Sequence, residues 1–153
     1  MEYTEDHKPG MKFVGYNVNT SVKDAGQDCP GSWSSFMKNY KEIENRIGEM
    51  KNYAVSKNLN PRERTFRYTA GAEVSDFGEM PEGAEKVEVP ESDYLIFIHK
   101  GKLDKLRQTY RGITEDIPRI GKRQKSEFWI EFYDERWLGD KDESEFEIWI
   151  PIE

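Results

Sequence analysis

The sequence predicts an α+β domain in which a β-α-β-β unit occurs twice. Two segments have apolar residues at helical spacing, and each of them follows one strand pattern and precedes two more. The first unit covers about residues 11–90 and the second about residues 92–152, and no linker long enough to separate two free domains lies between them. We therefore expect one domain over residues 1–153, in which the two units share one body.

The first unit begins with a predicted strand at residues 11–20. Residues 58–64, which include a proline, are predicted to form a loop, and two strands follow at residues 66–74 and 84–89. Between the first strand and this loop, a helix is predicted over residues 32–51. Its apolar side chains recur at intervals of three and four, as one helix face requires: Trp33, Phe36, Met37, Tyr40, Ile43, Ile47 and Met50.

The second unit repeats this order. A strand is predicted at residues 94–99, a helix at residues 102–116, and two further strands near residues 127–134 and 144–151. Each helix is expected to cover one face of its own strands. The opposite faces of the two units are then free to form a central groove, and grooves of this kind bind ligands. The apolar face of this helix carries Leu103, Leu106, Tyr110, Ile113 and Ile117.

The net charge of −7, from 30 acidic and 23 basic residues, argues against direct binding of nucleic acid. Binding to duplex DNA depends on lysine and arginine side chains that neutralise phosphates. The single cysteine, Cys29, excludes an intrachain disulfide, and the two histidines fit no zinc-ligand pattern. We therefore predict no metal and no cofactor.

No segment approaches the roughly 20 apolar residues that a membrane span needs. The N-terminus is acidic and has no apolar run, so it does not read as a signal peptide. The sequence thus predicts a cytoplasmic protein that does not bind membranes.

The predicted strand near residues 127–134 carries an acid between two aromatic residues on one of its faces. Side chains alternate across a strand, so Trp129, Glu131 and Tyr133 point one way. Phe128, Ile130 and Phe132 then point the other way and are interpreted as the core set. Burying a carboxylate without a partner is costly, so an enclosed Glu131 is expected to meet a cation or a polarised reactant.

Trp149 and Glu147 form a second candidate pair, on the last predicted strand. They share one face of this strand, while Phe146, Ile148 and Ile150 take the other. A tryptophan on the face away from the core indicates groove lining, and Glu147 is then a second candidate acid.

Four more aromatic residues complete the set of candidate ligand contacts. Trp33 and Tyr110 lie on apolar helix faces, and Tyr68 and Tyr94 lie near the starts of predicted strands. Packing in the core and contact with a ligand both remain open for each of them.

Several stretches, taken in order, resemble one known family. They are Tyr68-Thr-Ala-Gly-Ala-Glu-Val74, Tyr94-Leu-Ile-Phe-Ile-His-Lys-Gly101, Phe132-Tyr-Asp-Glu-Arg-Trp137 and Glu147-Ile-Trp-Ile-Pro-Ile152, with Met80-Pro-Glu-Gly-Ala84 and Val89-Pro90 between them. The chain is similar to the GyrI-like superfamily, also called the effector-binding domain of AraC- and MerR-type regulators. The resemblance runs from about residue 11 to residue 152.

The resemblance implies two SHS2-type modules related by a pseudo-twofold axis, with a ligand groove between them. In the family a groove glutamate surrounded by aromatic side chains meets cationic aromatic ligands, and Glu131 occupies the matching position. Regulators of the family carry a helix-turn-helix ahead of this domain, whereas about ten residues precede the first predicted strand here. The expectation is therefore a stand-alone form without a DNA-binding domain.

Three functions are compatible with these expectations. The first is binding of lipophilic, often cationic aromatic compounds, for sensing or sequestration. The second is hydrolysis of cyclopropane-bearing or other strained electrophiles, in which Glu131 activates water and Tyr133 or Tyr68 donates a hydrogen bond to the substrate. The third is contact with DNA gyrase, as in gyrase-inhibitory relatives.

Overall fold

The computed structural model describes residues 1–153 and contains two α-helices and eight strands. Helix α1 spans Ala25–Asn39 and helix α2 spans Leu106–Arg119. Short 3-10 helices follow α1 at Tyr40–Glu42 and precede α2 at Leu103–Lys105. The strands are β1 (Tyr3–Lys8), β2 (Met11–Ser21), β3 (Asn52–Asn60), β4 (Thr65–Val74), β5 (Glu85–Val89), β6 (Ser92–Lys100), β7 (Phe128–Tyr133) and β8 (Glu145–Ile152).

All eight strands form one sheet in the order β1-β6-β8-β7-β3-β4-β2-β5, and every neighbouring pair is antiparallel. The two units are β2-α1-β3-β4 and β6-α2-β7-β8. From the centre of the sheet outward, each unit contributes its second, third and first strand, which is the symmetry of a pseudo-twofold axis between β3 and β7. The predicted α+β class is confirmed. No helix has the length and apolarity to cross a membrane.

The first unit differs from the prediction in its helix and in one strand. The predicted helix over residues 32–51 is wrong at both ends. Asn45 (φ 60°) and Gly48 (φ 76°) adopt left-handed backbone conformations that helices do not continue through. Residues 58–64, predicted as a loop, include the end of β3, a strand that the sequence pattern did not indicate.

Helix α1 also starts earlier than predicted, at Ala25 instead of residue 32, so that Pro30 and Gly31 lie inside it. Proline is tolerated poorly beyond the first helical turn. Here the first turn is tied to the sheet, since the Thr20 hydroxyl donates a hydrogen bond to the Asp28 carboxylate at 2.8 Å. Phe36, which is fully buried, anchors the following turns.

The two edge strands of the sheet, β1 and β5, also differ from the prediction. Strand β1, which the sequence analysis did not predict, pairs with β6 although nearly all of it is exposed and most of its residues are polar. Strand β5 was predicted as the last strand of the first unit. It instead pairs with the outer side of β2, as an addition to that unit.

The sheet curls so strongly that its two edges approach each other. Strands β1 and β2 stand six places apart in the order of the sheet, yet only Pro9 and Gly10 join them along the chain. A link of that length spans at most about 11 Å between Cα atoms. Pro90 and Glu91 likewise join β5 to β6, which lie near opposite edges of the sheet.

The two faces of this curled sheet carry separate cores. The outer face packs against α1 and α2 through Phe36, Ile113 and Ile117. The inner face carries no helix, and its core joins residues from both sheet edges, such as Phe13 and Tyr94. Both faces therefore bury apolar side chains, and this governs where the candidate residues lie.

Candidate functional site

Glu131 lies at the centre of β7, on the face that the helices cover. It pairs with Ala54 of β3 on one side and Ile148 of β8 on the other, and Ala54 in turn pairs with Ala70 of β4. The two alanines are fully buried and belong to the same hydrophobic cluster as Tyr68 and Tyr133. Glu131 is 5% exposed, so its carboxylate is withdrawn from water.

Two tyrosine hydroxyls hold the carboxylate. The Tyr110 hydroxyl from α2 donates to Oε2 at 2.6 Å, and the Tyr133 hydroxyl donates to Oε1 at 2.8 Å. Glu131 takes part in none of the ion pairs of the protein. Burial raises the pKa of Glu131, and the hydrogen bonds from Tyr110 and Tyr133 offset only part of that rise.

A second layer of aromatic side chains surrounds these tyrosines. Trp33 of α1 donates its indole N–H to the Tyr68 hydroxyl at 2.7 Å and meets the Tyr133 ring edge-on at 5.1 Å. The Tyr133 ring stacks on Phe146 at 4.5 Å. Burial, followed by the charge of Glu131, raises the pKa of Tyr68, Tyr110 and Tyr133 well above the ordinary tyrosine range, so all three remain neutral hydroxyls.

A cavity of about 150 Å³ adjoins this cluster. It is lined by Tyr110, Ile113, Thr114, Gln124, Trp129 and Ile150. Pockets that enclose drug-sized ligands measure about 300–1,000 Å³. The space beside Glu131 is therefore largely filled by the protein's own aromatic side chains, and a ligand of that size requires Tyr110 and Trp129 to shift.

The structure brings together six of the nine predicted ligand contacts and leaves three apart. Trp33, Tyr68, Tyr110, Trp129, Glu131 and Tyr133 belong to the helix-covered side. Tyr94, Glu147 and Trp149 lie on the inner face, because Trp149 pairs with Ile130 and Glu147 pairs with Phe132 in the β7–β8 register. The expected groove, on the faces away from the helices, corresponds to the side of Glu147 and Trp149, where a cleft opens, whereas the Glu131 cluster lies beneath the helices.

Three further residues of the cluster were not singled out from the sequence. Ala54 and Ala70 line up with Glu131 only through the register of three strands, and Phe146 reaches Tyr133 across a strand pair. No local pattern signals such contacts. Cys29 of α1 also lies near Glu131, and burial together with the charges of Glu131 and Asp28 raises the pKa of this thiol to about 12, so it is protonated and unreactive.

The chain is 29% identical over 147 residues to the transcriptional regulator BrlR of Pseudomonas aeruginosa. This match covers 95% of the chain and 53% of BrlR, so the chain spans about half the length of that relative.

Two solved structures share the fold. SAV2435 bound to tetraphenylphosphonium superposes with a TM-score of 0.78 at 16% identity, covering 100% of this chain and 94% of that one. The integron cassette protein Cass2 of Vibrio cholerae superposes with a TM-score of 0.65 at 13% identity, covering 99% of this chain and 95% of that one. At these identities the likeness establishes the fold.

A family model described as Cass2, integron-associated effector binding protein, matches residues 6–152. The resemblance to the effector-binding domains, which was inferred from the ordered sequence phrases, is thereby confirmed. Since the match takes in nearly the whole chain, the protein belongs to the Cass2 family of integron-associated effector binding proteins.

Proposed function

We propose that the protein binds lipophilic aromatic cations and that Glu131 is their counter-ion. The observation that carries this proposal is a carboxylate that is 5% exposed, accepts hydrogen bonds from two tyrosines and forms no ion pair. Withdrawing a carboxylate from water without a cationic partner is costly. A bound cation would offset that cost with coulombic attraction in a site that excludes water.

The charge of the ligand is expected to be delocalised. A small ammonium ion holds its water tightly, whereas a large organic cation loses less hydration when it enters a buried site. The rings of Trp33, Trp129 and Tyr133 surround the carboxylate, and each well-placed ring contributes about 0.5–2 kcal/mol of cation–π attraction. The neutral Tyr133 hydroxyl keeps Glu131 oriented while the ligand's rings replace the contacts of Tyr110 and Trp129.

Two of the related proteins support this ligand class and its biological setting. SAV2435, which shares the fold, has tetraphenylphosphonium bound, and this compound is a lipophilic aromatic cation. BrlR, which is similar over about half of its length, is a transcriptional regulator. We infer that the present protein senses or sequesters such compounds as effectors.

The hydrogen bonds of Glu131 favour binding over hydrolysis. A general base needs a carboxylate oxygen within reach of the attacking water. In this protein Tyr110 engages one oxygen and Tyr133 engages the other. These hydrogen bonds stabilise the ionised carboxylate and so reduce its tendency to take a proton from water.

The direct test compares a cation with a neutral compound of similar shape. Isothermal titration calorimetry of the protein with tetraphenylphosphonium is expected to give a dissociation constant in the micromolar range, about −8 kcal/mol. Triphenylphosphine oxide, which is neutral and aromatic, is expected to bind at least about tenfold more weakly, a difference of about 1.4 kcal/mol. Equal affinities for the two compounds would remove the role of charge and with it the proposal.

Binding of the cation is also expected to strengthen as the pH rises. Burial raises the pKa of Glu131 above the ordinary value of 4.5, and a bound cation favours the ionised form. Binding at a pH below the raised pKa therefore releases a proton, and affinity increases as the pH rises toward that pKa and levels off above it. Calorimetry at several pH values, in buffers of different ionisation enthalpy, measures both effects. A pH-independent affinity without proton release would contradict the assignment of Glu131.

A further inference from the structure

A second and larger cleft opens on the inner face of the sheet, on the side opposite Glu131. Its volume is about 1070 Å³. Tyr53, Phe132 and Trp149 line it as one aromatic cluster, with ring centroids 5.1 Å apart for Tyr53 and Phe132, 5.2 Å for Phe132 and Trp149, and 5.8 Å for Tyr53 and Trp149. The proposed site for aromatic cations uses none of these rings.

A cation of the protein itself already sits on this aromatic cluster. The Lys8 ammonium, at the end of β1, lies 4.1 Å from the centroid of the Trp149 ring, well within the range of a cation–π contact. Its ion pair with Asp6 is long, at 3.4 Å, and Asp6 is largely exposed. Lys8 thus shows what kind of group this surface attracts, namely a primary ammonium on a flexible alkyl chain.

Four acids line the cleft, Glu2, Asp6, Glu73 and Glu147. The last two are hydrogen-bonded to rings of the aromatic cluster, and they have different roles. Glu147 is engaged through both oxygens, since it accepts the Trp149 indole N–H at 2.7 Å and a hydrogen bond from Arg136 at 2.6 Å. Glu147 therefore fixes the orientation of the indole ring that Lys8 covers. Glu73 forms no ion pair and accepts one long hydrogen bond, from the Tyr53 hydroxyl at 3.3 Å.

Glu73 is the acid that an incoming cation would meet. It is half-buried, and burial raises the pKa of its carboxyl more than Tyr53, Lys51 and Lys8 lower it. A positive charge placed beside Glu73 relieves this desolvation. The cleft is open to water, so a localised ammonium keeps part of its hydration there, which the enclosed Glu131 site does not allow.

We propose that this cleft is a second ligand site, specific for small primary alkylammonium compounds, which displace Lys8 from the Trp149 ring and pair with Glu73. The alkyl chain of the ligand lies along the apolar wall that Ile96 and Ile98 contribute. Ile98 is 36% exposed, so covering it removes apolar surface from water. The two sites, on opposite faces of the sheet, then select different organic cations. The Glu131 site takes aromatic cations with weakly hydrated, delocalised charge, and the cleft takes ammonium ions with strongly hydrated charge.

In NMR spectra of isotope-labelled protein, the indole N–H signals of the tryptophans report on the two sites separately. Of the four tryptophans, Trp149 alone belongs to the inner face, while Trp33 and Trp129 adjoin the Glu131 cluster. Titration with hexylammonium chloride is expected to shift the Trp149 signal and to leave those of Trp33 and Trp129 in place. A Trp149→Phe variant, used only for assignment, identifies the signal by its disappearance.

Two variants test whether the ligand displaces Lys8 and pairs with Glu73. Lys8→Ala removes the competing internal cation and is expected to raise the affinity for hexylammonium at least about threefold, whereas Lys23→Ala, at an exposed lysine outside the cleft, leaves it unchanged. Glu73→Gln is expected to lower it about tenfold. The proposal is overturned if Trp149 does not respond in wild type or Lys8→Ala, if Glu73→Gln has no effect, or if Trp33 and Trp129 shift instead. The tetraphenylphosphonium titration is independent of these outcomes.

Discussion

Replacing Glu131 by glutamine is expected to weaken the binding of tetraphenylphosphonium by about 30- to 150-fold. Glutamine preserves the shape of the side chain and its capacity to bond Tyr110 and Tyr133, but it removes the negative charge. Deleting one member of a buried charge pair costs about 2–5 kcal/mol, and about 2–3 kcal/mol applies here because the apo protein no longer buries an unpaired charge. Calorimetric titration of both proteins under one set of conditions measures the difference.

The controls for this variant separate charge from shape and from folding. Triphenylphosphine oxide is expected to bind wild type and Glu131→Gln within about threefold of each other, since it carries no charge for Glu131 to attract. Glu127→Gln makes the same chemical change at an exposed position of the neighbouring segment and is expected to leave both affinities unaltered. Equal losses for the cation and the neutral compound would assign Glu131 a packing role instead.

The centre of the candidate site was predictable from local patterns. Alternation along one strand places Trp129, Glu131 and Tyr133 on a common face, and the structure agrees. Helical spacing places Tyr110 on the apolar face of α2, from which it reaches Glu131. Both inferences depend only on residues within one element, where backbone geometry dictates the direction of each side chain.

The remainder of the site depends on how elements pair, which the sequence does not encode locally. The side of the sheet on which Glu147 and Trp149 lie follows from their pairing with Phe132 and Ile130, and a shift of one residue would reverse it. Because both faces of the curled sheet bury apolar side chains, an aromatic residue on either face looks alike in the sequence. Tyr94 was grouped with Glu131 for the same reason, although it lies in the inner core.

The missed elements have their own physical causes. Strand β3 carries asparagine and lysine among its apolar residues, and its neighbours in the centre of the sheet supply the stability that its propensity lacks. Strand β1 has almost no apolar residues, and its pairing with β6 is supplemented by side-chain contacts such as the Lys122–Glu5 ion pair and the Lys8 ammonium over the Trp149 ring. In α1, the anchoring of Asp28 and the burial of Phe36 override the unfavourable Pro30 and Gly31.

The curl of the sheet has a visible cause in a glycine pair. Gly15 of β2 and Gly71 of β4 lie directly opposite each other, and the two backbones approach so closely that neither position has space for a side chain. A Cβ atom on Gly71 would lie 2.8 Å from Gly15 Cα and nearer still to the Val14 carbonyl oxygen. Glycines in strand interiors mark sharp bends and close backbone contacts of this kind.

Gly71→Ala is therefore expected to lower the free energy of unfolding by about 3 kcal/mol, since the obstructing atoms are backbone and cannot rotate away. Urea denaturation followed by tryptophan fluorescence measures this loss. The matched control is Gly26→Ala in α1, where a Cβ atom meets nothing within 4 Å and alanine is the better helix former, so stability is expected to hold or to rise by up to about 1 kcal/mol. A Gly71→Ala protein within about 1 kcal/mol of wild type would show that the strands separate easily, and the curl would then need another cause. A large loss would tie the enclosed inner face, and the cleft in it, to two residues that have no side chain.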